Sequence, residues 1–393
     1  MASTASQVRS YSGPAILSFG FRPFFLGGAI WAALALALWL PFLSGTIELP
    51  TAFTPVYWHI HELLYGYLPA VVAGFLLTAV PNWTGRLPVV GTPLLILFAT
   101  WLAGRVAIMF SSLLGPWLAA LIDLSFLVLL ATVIAREIIA SGNMRNLKVL
   151  VLVGLLLIGN GVFHLESTLE LDTGYGIRTG LAAAVLLISL IGGRVIPSFT
   201  RNWLSQNSSG RLPVPFAKYD MITIALSALA LGVWIIFPDT YISALLCGLA
   251  GLMHFVRLAR WAGVRTFAQP LVFILHMGYL FIPIGFILIP IHFFAPNLVT
   301  ISAAIHAWTT GAIGLMTLAI MTRASLGHTG HALIATPVTR LIYLFAFLAA
   351  ITRLLAAFNI DQTLMLQISA LNWFLAFAGF ALAYGPLLSK PRP

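Results

Sequence analysis

Long apolar runs, each close to the roughly 20 residues an α-helix needs to cross a bilayer, recur along this chain and constrain its fold more than any other feature. They lie near residues 24–42, 57–80, 93–112, 115–137, 146–166, 177–197, 219–237, 240–258, 269–290, 298–322, 338–358 and 363–387. The longest polar break, Ser198 to Lys218, is too short to fold alone. Runs of this length specify helices, because a spanning segment must satisfy its own backbone hydrogen bonds. The expected fold is all-α, a polytopic membrane helical bundle of about 12 transmembrane helices. It forms a single integral membrane domain over residues 1–393, with residues 1–23 as a cytoplasmic N-terminal segment. No small-residue cleavage site follows the run that begins at Phe24, so that run reads as a retained first helix. With 60% hydrophobic and 8% charged residues, the chain is excluded from the soluble globular class.

Charge gives the orientation. Lys and Arg collect on alternate sides: Arg9 and Arg22, Arg86, Arg136/Arg145/Lys148, Arg194/Arg201/Arg211/Lys218, Arg257/Arg260/Arg265, Arg323/Arg340 and Lys390/Arg392. Glu48, Glu166, Glu170, Asp172, Asp239 and Asp361 fall on the other side. By the positive-inside rule both termini are cytoplasmic. The net charge of +10 is spread over these loops without a basic patch, which points to membrane lipid as the partner and against nucleic acid. The lone Cys247 rules out an internal disulfide and argues against a thiolate cluster. No phosphate-binding glycine loop and no heme-attachment cysteine pair occurs, so nucleotide hydrolysis and covalent heme are not expected. The second, sixth and tenth helices end on similar segments, LLTAVPNWTGR, GRVIPSFTRNW and LAIMTRASLGHTG, which suggests three four-helix repeats. Heme-copper oxidase main subunits also have three such units. Here, however, the sixth and seventh helices hold no histidine, so that copper site has no counterpart.

Nine histidines against ten carboxylates is a high ratio for a membrane chain, and ionisable groups at membrane depth are candidates for function. On this topology His59, His61, His164 and His292 lie at the outer ends of their helices, and His306 lies about 12 Å below that boundary at 1.5 Å per residue. Neutral imidazoles projecting from several helices suit heme iron or copper. In an ideal helix His59 and His61 point about 200° apart and cannot share a metal unless the first turn is irregular. His59 and Glu62 share a face, and either histidine is a candidate ligand with Glu62 as its carboxylate partner or as a proton relay. His276 and His306 are ligand candidates against the plainer role of a helix-to-helix hydrogen bond. His328 and His331 are balanced between ligand and loop residue. His292 and His254 read more simply as capping or structural residues. Arg105 and Arg353 lie within apolar runs and are candidates to pair with heme propionates, or equally with Asp123 or Asp361.

The segments SFGFRPFFLGGA, HIHELLYGY, AGFLLTAVPNWTGRLP, IGGRVIPSFTRNW, LHMGYLFIPIG and HAWTTGAIGLMTLAIMTRASLGHTG occur in this order between Leu17 and His331. Together they closely resemble the NnrS family. The resemblance implies a bacterial inner-membrane protein of the nitric oxide response and of denitrification, binding heme b and copper. It places His59, His61 and Glu62 in the family's histidine-histidine-glutamate motif, His276 in its histidine-glycine-tyrosine segment, and His306 and His328 in its tenth-helix signature. Arg86, Arg194, Arg201 and Arg323 also match family positions, whereas His331 stands where the family commonly has arginine. The implied activity is a nitric oxide-consuming oxidoreductase fed by a quinol or cytochrome. In that reading His276 and His306 serve heme, His59, His61 and His164 serve copper, and Glu62 supplies protons. Two rivals remain from the sequence: a transporter that uses its histidines to relay protons or metal ions, and a heme-based sensor without turnover.

Overall fold

A computed structural model describes residues 11–358 and 360–392, so Arg9 lies outside the described residues. Among the described residues, twelve helices are long and apolar enough to cross a membrane. They are α1 (Phe21–Leu43), α2 (Pro55–Thr84), α3 (Thr92–Met109), α4 (Pro116–Ala140), α5 (Leu147–Thr168) and α6 (Tyr175–Asn207), followed by α7 (Lys218–Ile236), α8 (Tyr241–Ala259), α9 (Pro270–Phe294), α10 (Ile301–Thr329), α11 (Pro337–Ala357) and α12 (Gln362–Ser389). No strand occurs among the described residues. The chain is an all-helical, multi-pass membrane protein.

Local sequence sets where these helices begin and end. Thr54, Thr240 and Thr336 cap α2, α8 and α11 by accepting from the backbone N–H three residues on, and Pro55, Pro116, Pro270 and Pro337 open their helices. Proline suits that position because its missing N–H would have no partner there. Asp220 accepts from the Ala217 N–H at 2.9 Å at the start of α7. Gly85, at φ +70°, closes α2 in the left-handed conformation that glycine adopts without strain.

The helices agree with the apolar runs to within a few residues, α9 ending four past its run at Phe294, and the overruns through polar sequence are those of α2, α6 and α10. These run on to Thr84, Asn207 and Thr329, past the expected ends at 80, 197 and 322. Their apolar stretch ends but the helix continues through PNWT, PSFTRNW and RASLGHT, because backbone hydrogen bonding does not stop where hydropathy does.

The chain divides into two compact units. Of the described residues, the first comprises 11–180, 324–332 and 377–392; there α1 packs on α2, α3 on α4, and α4 on both α2 and α5. The second comprises residues 181–323 and 333–376; there α8 packs on α7 and α9, and α10 on α9 and α11.

Candidate metal centre

The first unit buries a polar cluster contributed by four helices. Its members are His61 and Glu62 (α2), Arg105 (α3), Asp123 (α4), and Asn160 and His164 (α5), each no more than 4% exposed. Helix α2 is not regular there. A π-helical stretch covers Glu62–Tyr67, with the Leu68 N–H bonded to Leu63 O. Such wide turns put an extra residue into the helix and re-aim side chains. The Trp101 indole donates to Gly66 O at 2.9 Å, and the absence of a side chain at Gly66 lets the Arg105 guanidinium lie against the turn.

Hydrogen bonding fixes the protonation pattern. Glu62 accepts from the Trp31 indole at 2.6 Å and from Arg105 Nη1 at 2.8 and 2.9 Å; its Oε1 lies 3.0 Å from His61 Nδ1. An ionised carboxylate only accepts, so His61 Nδ1 carries a hydrogen. His61 Nε2 is then 3.2 Å from Asp123 Oδ2 and 3.2 Å from Asn160 Oδ1, both acceptors. Asn160 Nδ2 donates to that same Oδ2 at 2.6 Å, which sets the amide orientation. His164 Nε2 lies 3.1 Å from Oδ2 as well. A neutral His61 would aim a lone pair at two oxygens, so this corner requires either a proton or a metal cation.

The charge count points the same way. Arg105 pairs with both Glu62 and Asp123, so one guanidinium faces two buried carboxylates. Buried charge is costly unless compensated, and with both histidines neutral this cluster is one positive charge short, which a proton on an imidazole or a metal cation would supply. One nitrogen each of His61 and His164 and one oxygen of Asp123 lie within 4.8 Å of one another. Two imidazoles and a carboxylate are a donor set for zinc, copper or iron, and the Glu62···His61 bond supplies the outer partner that orients a ligating histidine.

The sequence model of the family described as NnrS protein matches residues 15–392, nearly the whole chain. The chain belongs to the NnrS family. No curated protein and no solved structure gives a match.

In this NnrS chain the other sequence candidates are dispersed. His59 stacks on the Trp39 ring at 4.0 Å, outside the cluster. His328 packs against Phe19 and Phe21, His331 Nδ1 lies 2.9 Å from Thr329 Oγ1, and His292 Nδ1 donates to Val299 O at 2.8 Å. Arg105, considered for heme propionates, sits between Glu62 and Asp123, and both oxygens of Glu62 are engaged. Asp123, weighed in the sequence only as a partner for Arg105, is the shared centre of the group, and Asn160 was not singled out at all. A lone polar residue in an apolar run does not announce its company.

The second unit of the NnrS chain holds three further histidines. His306 precedes another π-helical stretch, Ala307–Ile313, and its Nδ1 donates to Ser302 O at 2.8 Å, which leaves Nε2 as the unprotonated nitrogen of a neutral ring. Arg353 Nη2 donates to Ser302 Oγ at 3.0 Å. His276 is buried, with Nε2 2.8 Å from Thr200 Oγ1 and Nδ1 lacking a hydrogen-bond partner beside Gly263. His254 belongs to a separate network. Arg257 Nε donates to Asp220 at 2.8 Å, and Arg257 Nη1 donates to Ser189 O at 2.9 Å and to the Tyr279 hydroxyl at 2.7 Å. Tyr279 OH lies 2.9 Å from His254 Nδ1, and His254 Nε2 lies 2.8 Å from Ser227 Oγ. Ser227 donates to Thr223 O at 2.8 Å, so it accepts from His254 Nε2–H, and Tyr279 therefore donates to Nδ1.

Proposed function

We propose that this protein is a heme- and copper-binding bacterial inner-membrane protein, with both termini cytoplasmic, that binds nitric oxide and removes it as an oxidoreductase. The observation that carries the reading is the charge-deficient His61–Asp123–His164 group, buried in a chain of the NnrS family. Copper fits this group by its donor set and by the missing positive charge. In the second unit, His306, with Nδ1 committed to a carbonyl, and His276, with a buried nitrogen lacking a partner, suit a heme b iron. Arg353, which donates to the same Ser302, would be the partner of a propionate. Bound heme and copper would supply the redox chemistry that captures nitric oxide and reduces it, with electrons from a quinol or a cytochrome.

The protein's own groups do the positioning. Glu62 holds the His61 Nδ1 hydrogen so that Nε2 faces Asp123, Asn160 fixes the Asp123 carboxylate, and Arg105 anchors both acids. The test is the visible spectrum of detergent-purified protein, oxidised and dithionite-reduced, with iron and copper quantified and nitric oxide then added. A Soret band that shifts with nitric oxide, together with near-stoichiometric copper, is the expected result. A colourless, metal-free protein obtained from heme-supplied cells would sink the reading.

A further inference from the structure

We infer that the cavity beside His164 is a vestibule through which a small uncharged ligand of two or three atoms reaches the metal group, with the Phe53 ring as its inner door. The inference rests on the metal reading above. The cavity measures about 170 Å³, and its walls include His164, Phe53, Ile108, Ser111, Ser167 and Thr168. That volume holds a few molecules of water size, at roughly 30 Å³ each. It is well below the roughly 300–1,000 Å³ of pockets for drug-sized ligands and cofactors. The lining is about half polar, with hydroxyls and the imidazole among its polar groups, and none of its side chains carries a fixed charge. A neutral diatomic crosses such a space without losing strong hydration, which an ion would have to surrender.

Two wall residues tie the cavity to the metal group. His164 forms part of the wall and offers Nε2 to the shared Asp123 oxygen. Phe53 forms part of the wall and packs on His61 at 5.4 Å and on His164 at 5.8 Å between ring centroids. Its backbone is fixed from the turn that joins α3 to α4. The Ala52 N–H donates to Ser111 Oγ at 2.8 Å, and Ser112 donates to Pro50 O through its N–H at 3.3 Å and its hydroxyl at 2.9 Å. With the backbone held here and the ring covering both imidazoles, rotation of the Phe53 side chain is the motion that would open the way. The walls come from the loop before α2, the α3–α4 turn and the last residues of α5, so access runs from the loop end of the first unit rather than sideways from lipid.

Carbon monoxide is a suitable uncharged probe. It would be bound to the copper(I) form of the full-length protein, and its recombination after flash photolysis followed by transient infrared absorption. Phe53→Ala should speed recombination about tenfold, the size expected when an aromatic contact is lost from the barrier. Thr168→Trp, which fills the cavity, should slow it by a similar factor, and Ser167→Phe serves the same purpose if that variant does not accumulate. Copper content should stay at the wild-type level in each. Fully copper-loaded variants with unchanged recombination would overturn the vestibule while leaving the metal group intact. A wild-type protein that takes no copper would overturn the metal reading and the vestibule with it.

Discussion

The two units each bury an arginine between helices, but they close its charge differently. In the second unit Asp220 is the single carboxylate that Arg257 meets, and Arg260 lies 3.8 Å from the same group, so positive charge is not lacking; the rest of the chain through Tyr279, His254 and Ser227 runs from neutral donor to neutral acceptor. In the first unit Arg105 faces two carboxylates, and the remaining charge is left to a pair of histidines. Both guanidiniums lie against a glycine, Gly66 or Gly193, where a side chain would collide with them. The steric solution is thus shared and the electrostatic one is not. A network that does not lack positive charge can serve as a fastener between helices. One that is short of a charge is arranged around something that supplies it.

Copper binding is where the two should part most sharply. Asp123→Ala, or His61→Ala combined with His164→Ala, should bring copper down to background in plasma mass spectrometry of purified protein, whereas Asp220→Ala and His254→Ala should retain it. The same contrast should appear in stability. A ligand present at 100 times its Kd stabilises the folded state by about 2.7 kcal/mol, so copper should raise the melting temperature of the wild type and chelation should lower it. Asp123→Ala should show no response. If the second-unit variants lost copper as well, the two networks would not be functionally distinct.

Removing each arginine comes next in size. Arg257→Met leaves Asp220 with Arg260 at 3.8 Å as its remaining cation, so the loss should fall at or below the roughly 3–5 kcal/mol of a fully broken buried pair. Arg105→Met strands two carboxylates and should cost more, with copper recovering part of the loss in the first unit only. Thermal unfolding in detergent with and without copper measures both. Equal losses that ignore copper would show that the first cluster closes its charge in some other way.

What the sequence disclosed follows from the range of each signal. The spans were legible because apolar length is a local property, and the ends of α2, α6 and α10 were not, because a helix continues through polar residues once it is started. Periodicity alone separated His59 from His61, and the π-helical stretch at Glu62–Tyr67 accompanies the turning of His61 into the cluster, while His59 stacks on Trp39. Asp123 was within reach, since an acid and an arginine lie near the same end of consecutive antiparallel helices, α3 and α4. The Arg257–Tyr279–His254 network was not. Arg257 reads as a loop-end cation and Tyr279 as one aromatic among many, and only packing of α7, α8 and α9 joins them.

The smallest expected effect examines that network's direction. Tyr279→Phe removes a hydroxyl that accepts from Arg257 and donates to His254 Nδ1, leaving a buried lone pair and a buried N–H short of a partner. Stranding such groups costs about 1–3 kcal/mol. Ser227→Ala removes the acceptor at the other end of the same imidazole, stranding His254 Nε2–H. Because the two hydroxyls act on one ring whose tautomer they fix together, the double variant should cost less than the two single variants combined. With both partners gone the ring is free to adopt either tautomer. Thermal unfolding of the four proteins gives the coupling directly, and neither substitution should change copper content. Strict additivity would mean that the hydrogen bonds act singly, and the one-way relay from Arg257 to Ser227 would then lose its basis.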